Sequence, residues 1–233
     1  MKYFITSFLF LFLFILYASG QVKIFPRGGL AISTTTWEQV EFETLYRTGA
    51  TFGLGTEFGL VSKFKLQVEF NFVSKGYKDR DDDPGKDPSY IISNDDYEHR
   101  YLVLPVLVKR YFGRKSVRPY ADVGPYIGWG LGGTYSARRE LIDNGVLVET
   151  AHFSQRITYG DPTATHSGVI YYVKRFEFGL TGGGGILLYE RVAHDMRYEY
   201  GITSPFGKGS NFKNRSYQVA VIVPISLGKK GTL

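Results

Sequence analysis

The chain has 233 residues, a formal net charge of +6 and no cysteine, so disulfide bridges and lipid attachment through a cysteine are both excluded. Aromatic residues make up 16% of it and there are 28 glycines, a combination high for a soluble domain. The lysines and arginines are scattered singly rather than gathered into the basic stripe that nucleic acid requires, and no cofactor motif stands in its proper context.

Residues 1–20 read as a secretory signal peptide. Lys2 gives a basic start, 4–16 is an almost unbroken apolar run, and Ala18, Ser19 and Gly20 form a small-residue cleavage signal before Gln21. That run falls short of the roughly 20 apolar residues a membrane helix needs. Residues 21–233 are then expected to form a single domain. Within it, a period of two predicts eight strands at 24–33, 49–60, 64–76, 97–112, 118–134, 174–189, 192–202 and 216–227. In the fifth, Pro119, Ala121, Val123, Pro125, Ile127, Trp129 and Leu131 share one face, while Tyr120, Asp122, Gly124, Tyr126, Gly128, Gly130 and Gly132 share the other. The connectors at 61–63, 113–117 and 190–191 are tight, and those at 34–48, 77–96, 135–173 and 203–215 are long.

No helical pattern is present to cover an apolar sheet face, so that face is expected to meet lipid. Lipid in turn demands closure, because no backbone group can stay unpaired there. The fold expected is all-β, an eight-stranded antiparallel up-and-down transmembrane β-barrel of the outer membrane, with both termini and the short turns periplasmic and the long loops extracellular.

The expected lipid face carries Phe52, Leu54, Phe58 and Leu60, then Phe64, Leu66, Val68, Phe70 and Phe72, then Leu102, Leu104, Val106 and Val108, and finally Tyr217, Val219, Val221, Val223 and Ile225. The expected inward face sets Arg27, Lys65, Lys109, Arg175 and Arg197 against Glu57, Glu69, Asp122, Glu177 and Glu199. Eight strands enclose a lumen that side chains fill by themselves, so these charges predict a salt-bridged plug.

The segment YLVLPVLVKRYFG at 101–113 resembles the most recognisable stretch of the PorT-like outer-membrane β-barrel family, whose members are also described as porin-family proteins. RPYADVGPYIG at 118–128, FEFGLTGGGGILL at 176–188 and MRYEYGI at 196–202 resemble the strands that follow it. Val103 stands where the family commonly has an acid, and the chain runs past Leu227 to Leu233 instead of finishing on an aromatic residue. The resemblance implies the barrel fold and outer-membrane location, and for the family's namesake a part in a protein-secretion or gliding apparatus. Activity belongs to sites rather than folds, so that role does not pass to this chain by likeness alone.

The remaining motifs are weaker. Residues 128–133 satisfy GxGxxG, yet no helix follows to hold a pyrophosphate. Asp79, Asp81, Asp82, Asp83, Asp87, Asp95 and Asp96 crowd the second long connector; an EF-hand would need Gly and Glu where Pro84 and Tyr90 stand, so loose divalent-cation bridging to lipopolysaccharide is the better expectation. His152 and Ser154 lie two apart, an arrangement similar to the His-x-Ser pair of barrels that deacylate lipid A, with Glu149 as the one nearby carboxylate. His99, His166 and His194 are isolated and give no metal-ligand spacing. The expectation is a non-enzymatic barrel with a structural or surface-interaction role, in contact with outer-membrane lipid and lipopolysaccharide and, through its long loops, with a protein partner. A narrow transport pore is the alternative.

Overall fold

The computed structural model describes residues 22–37, 44–61, 63–81, 89–113, 116–159, 169–172, 174–204 and 212–227. The expected signal peptide lies outside the described residues, as do Asp82, Asp83, Asp87, His166 and the segment 228–233. Among the described residues there are eleven strands and no helix: β1 Val22–Trp37, β2 Leu45–Val61, β3 Phe64–Asp81, β4 Ser89–Tyr111, β5 Val117–Asp143, β6 Val146–Tyr159, β7 Val169–Tyr172, β8 Phe176–Leu188, β9 Val192–Gly201, β10 Phe212–Ile222 and β11 Ile225–Leu227. The sequence β1, β2, β3, β4, β5, β8, β9, β10 forms a ring of antiparallel neighbours, and pairing of β10 with β1 closes it. Closure pairs the backbone of each ring strand on both sides and leaves no open edge around the wall.

Alternation builds this wall strand by strand. On β4, Leu104, Val106 and Val108 are exposed while Tyr101, Val103, Leu107 and Lys109 are buried inside. The same parity exposes Val123, Ile127, Trp129 and Leu131 on β5 and Tyr217, Val219 and Val221 on β10. Exposed Arg100 and Arg110 bracket the apolar stretch of β4. Ten residues at about 3.4 Å each, tilted roughly 40°, give an apolar ring about 25 Å tall, the height of a barrel's lipid band. Aromatic groups mark both of its rims. Tyr46, Tyr198 and Tyr217 cluster at one, with ring centroids 6.5 and 4.9 Å from Tyr217, and Phe64 and Phe112 flank the Arg110 guanidinium at the other.

Three expectations about the strands need correction. The connector at 77–96 is largely sheet: β3 and β4 pair out to Asp81 and Ser93. The connector at 135–173 is not a plain loop either, since β5 continues to Asp143 and returns as β6, with β7 added in parallel to the end of β6. Towards the tip, from Arg138 onward on β5, neither face of these strands is fully buried, so the apolar contrast that reveals a strand fades while the backbone pairing goes on. The last predicted strand is broken at Val223 and Pro224, because proline cannot donate to the ladder, and β11 resumes the pairing with β1. One outward residue is also misplaced: Phe58 is only 1% exposed, although it shares the parity of Phe52 and Leu54, and it lies one residue before the irregular step between Gly59 and Val61.

A bulge re-aims β5 where the ribbon leaves the ring. Arg100 pairs with Gly132 and Tyr101 with Gly130, so Leu131 is the extra residue. Gly132 has φ +129°, a conformation that a side chain would resist. Gly130, Gly132 and Gly133 all fall inside the wall there; backbone carbonyls of Ile157 and Glu98 approach the last two, and the space over Gly130 is left for a side chain from elsewhere.

Candidate functional site

The interior is layered along the barrel axis. Nearest the short turns, Phe25, Tyr120, Leu187, Ala193 and Ile222 form an apolar floor, with Tyr111 packed against it. Above it lies the main ionic cluster. Arg197 reaches both Glu69 carboxylate oxygens at 2.9 Å, Asp122 at 3.2 Å and Asp195 at 3.1 Å. Arg27 donates to Glu69, Asp195 and Gln218, each at 3.2 Å. Asn71 and Gln67 donate to the same Glu69, so this one carboxylate collects two guanidinium groups and two amides. Lys109 sits 3.0 Å from Gln67 Oε1 and 3.7 Å from Glu57, with its ammonium 3.7 Å from the centre of the Tyr120 ring.

A second cluster lies towards the long loops. Lys75 pairs with Glu199 at 2.8 Å and Glu177 at 3.6 Å. Tyr126 and Asn214 donate to Glu177 at 2.6 and 3.2 Å. Over it, Tyr101, Tyr135, Ile157 and Tyr159 join an apolar cap. Ile157 and Tyr159 come from β6, outside the ring. Tyr159 turns down into the lumen, its hydroxyl 3.1 Å from His99 Nδ1, and its ring occupies the place a Cβ on Gly130 would need, at 2.4 Å. Gly179 and Gly185 of β8 serve Tyr126 and Tyr120 in the same way: a Cβ on Gly185 would stand 2.5 Å from the Tyr120 hydroxyl, which instead donates to Asp195 at 2.8 Å. Among the described residues, the space enclosed by Phe25, Glu57, Lys109 and Ile222 is about 10 Å³, barely enough for a single water.

Arg27, Glu57, Glu69, Lys109, Asp122, Glu177, Arg197 and Glu199 are all buried in this interior. Two residues expected there are placed differently. Arg175 precedes β8, is exposed, and donates to the Tyr159 carbonyl at 3.1 Å with its guanidinium 5.6 Å from the Trp129 ring. Lys65 has inward parity but sits at the open mouth beside the short turns, only partly buried. Strand ends are where parity stops implying burial, because the lumen opens to water there. Two charges were missed. Lys75 and Asp195 are 1% and 0% exposed, and the parity of Glu69 on β3 and Arg197 on β9 was the signal for both. Among the described residues the buried charges are therefore Arg27, Lys75, Lys109 and Arg197 against Glu57, Glu69, Asp122, Glu177, Asp195 and Glu199: four bases with six acids rather than five with five.

The other candidates lie on the ribbon. His152 and Ser154 are exposed on β6, opposite Arg138 and Ser136 of β5. They share a face, whereas Glu149 has the opposite parity, and no hydrogen bond among the described residues joins the three. Asp79 stands directly across from Asp95 on the β3–β4 hairpin, and Lys78 across from Asp96. Below them Arg47 bridges Asp96 at 2.7 Å and Glu98 at 3.1 Å. Partial burial pushes the Asp79 carboxyl above the usual range, and Asp95 and Asp81 push it further against a hydrogen bond from the Arg80 backbone. A raised carboxyl lets the folded chain hold a proton that the unfolded chain has lost, so stability falls as pH rises across that window. Asp95→Asn is expected to lower the Asp79 pKa and flatten that fall, read by carboxyl NMR titration together with urea midpoints from acid to neutral pH.

The outer membrane protein β-barrel domain family matches residues 18–207. The chain belongs to that family. It is an outer-membrane barrel protein, and the apolar ring is the surface that faces lipid. Solved structures similar to this outer-membrane barrel include the outer-membrane enzyme PagL, at 12% identity and TM-score 0.44, covering 85% of this chain and 99% of that one. Neisserial surface protein A is similar at 10% identity and TM-score 0.41, covering 86% and 96%. The attachment invasion locus protein Ail of Yersinia pestis, solved with the heparin analogue sucrose octasulfate, is similar at 10% identity and TM-score 0.41, covering 88% and 99%. No curated protein matches the barrel's sequence.

Proposed function

We propose that this barrel is a non-enzymatic scaffold whose long-loop end binds at the cell surface, with the short turns and both termini in the periplasm and residues 1–20 removed as a signal peptide. The observation that carries the reading is the ribbon. Strands β3 to β6 continue beyond the lipid band, and on β5 the stretch from Ser136 to Asp143 alone adds roughly 25 Å along the strand. A closed interior has no use for such an extension. Its tip exposes Ile91, Val146, Leu147, Val148 and Phe153, apolar groups that membrane lipid cannot cover at that height and that a partner can. Lipopolysaccharide surrounds the base of the ribbon, and the acidic hairpin around Asp79 and Asp95 offers it bridging through divalent cations.

The test keeps the ring and removes the tip. Replacing residues 136–156 with a two-residue turn should leave the barrel folded and inserted while abolishing the protein partners that mild crosslinking in native membranes attaches to the intact chain. Equal capture by both chains would place the binding elsewhere. The lipid-modifying alternative rests on His152 and Ser154, and here the expected result is identical lipid A acylation, by mass spectrometry, in cells carrying the native chain and Ser154→Ala. A lost acyl chain restored only by the native protein would establish the enzyme instead. The likeness of 101–113 to PorT-like barrels supports the fold of this branch and leaves the secretion role without a residue to carry it.

A further inference from the structure

The mouth beside the short turns holds a second feature that surface binding does not use. Lys23, Lys63, Lys65, Arg110 and Arg118 line a cavity of about 570 Å³ there, with Glu57 and Glu190 as its carboxylates. Both acids are engaged. Glu190 takes Lys23 at 2.9 Å and Arg118 at 2.7 Å; Glu57 accepts from Tyr111 at 2.7 Å and faces Lys109 at 3.7 Å. Lys63, Lys65 and Arg110 are left without a carboxylate among the described residues.

Register makes the imbalance sharper. Lys65 lies directly opposite Lys109 across the β3–β4 ladder, a like-charge pairing that costs stability unless something negative stands between or beside the two. Glu57 and Gln67 serve Lys109 and not Lys65. The neighbouring Arg110 is held with its guanidinium 5.4 Å from both the Phe64 and Phe112 rings, which fixes a fork suited to two oxygens of one anion. The cavity is also the size of an ordinary small-ligand site.

We infer that this mouth binds a compact phosphate-bearing anion through Lys63, Lys65 and Arg110. Arg110 marks the edge of the apolar ring, level with lipid headgroups, so the phosphate is either that of an anionic lipid or a free one, and the two sources separate experimentally. The full barrel, in phosphatidylcholine nanodiscs, is titrated calorimetrically with inorganic pyrophosphate; in mixed nanodiscs, native mass spectrometry reads retention of phosphatidylglycerol over phosphatidylcholine. Binding in the first experiment identifies a free phosphate, and retention in the second a headgroup. Either signal should fall by about tenfold or more in Lys65→Gln/Arg110→Gln, the worth of one to two charge-assisted hydrogen bonds, and weaken with salt. Arg138→Gln/Arg139→Gln at the opposite end should leave it unchanged. Heat-dependent electrophoretic mobility confirms that each variant is folded. Absence of both signals, or equal binding by the native chain and the mouth variant, overturns the inference without touching the ribbon's role.

Discussion

Replacing Arg197 with methionine is expected to lower the unfolding free energy of the barrel by about 3–5 kcal/mol, measured by urea unfolding in lipid vesicles. The guanidinium is 2.9 to 3.2 Å from Glu69, Asp122 and Asp195, and all four residues are at most 4% exposed. Its loss strands carboxylates away from water with only part of their compensation left in Arg27. The size of the effect reflects that stranding more than any net strength of the pairs, since buried ion pairs gain little over apolar packing once desolvation is counted. The double variant Arg197→Met/Glu69→Gln should therefore recover part of the loss. Simple addition of the two single effects would show that the residues do not act on each other.

The second large effect concerns the outer wall. Ile127 lies in the middle of the exposed apolar run of β5, opposite Leu104 and between the levels of Arg110 and Arg100, and is 43% exposed to whatever surrounds the barrel. Ile127→Arg is expected to cost roughly 2–4 kcal/mol in the same vesicle assay, because an arginine at the midplane must be desolvated or drag water inward. Ser136→Arg, exposed on the same strand beyond the lipid ring, is expected to change stability by close to nothing. In a water-soluble sheet the two substitutions would behave alike.

Strict alternation made the ring legible. Residues such as Leu104, Val106 and Val108 are apolar because they touch lipid, and each alternates with a residue that touches the lumen, so a single strand declares both of its surroundings. The ribbon was not legible for the complementary reason. Arg138 and Arg139 on β5 and His152, Phe153 and Ser154 on β6 are exposed in succession, and a strand wetted on both sides keeps its backbone pairing while losing its sequence pattern. The interior sites divide in the same manner. Lys75 and Asp195 were missed although they share the mid-strand parity of Glu69 and Arg197, whereas Lys65 and Arg175 have the right parity but stand at strand ends, where the lumen gives way to solvent. Tyr159 could not be assigned from its own strand at all: what makes room for it is Gly130, on a different strand of the ring.

Spin labelling along β10 puts the lipid-facing wall to the most direct test, since the native chain has no cysteine to remove. Single cysteines placed in turn from Tyr217 to Val221, labelled in the vesicle-inserted barrel, should show high oxygen and low nickel-chelate accessibility at Tyr217, Val219 and Val221, and low accessibility to both reagents at Gln218 and Ala220. Loss of that alternation, or ready access of the water-borne chelate to Val219, would contradict a barrel standing in acyl chains around a filled interior.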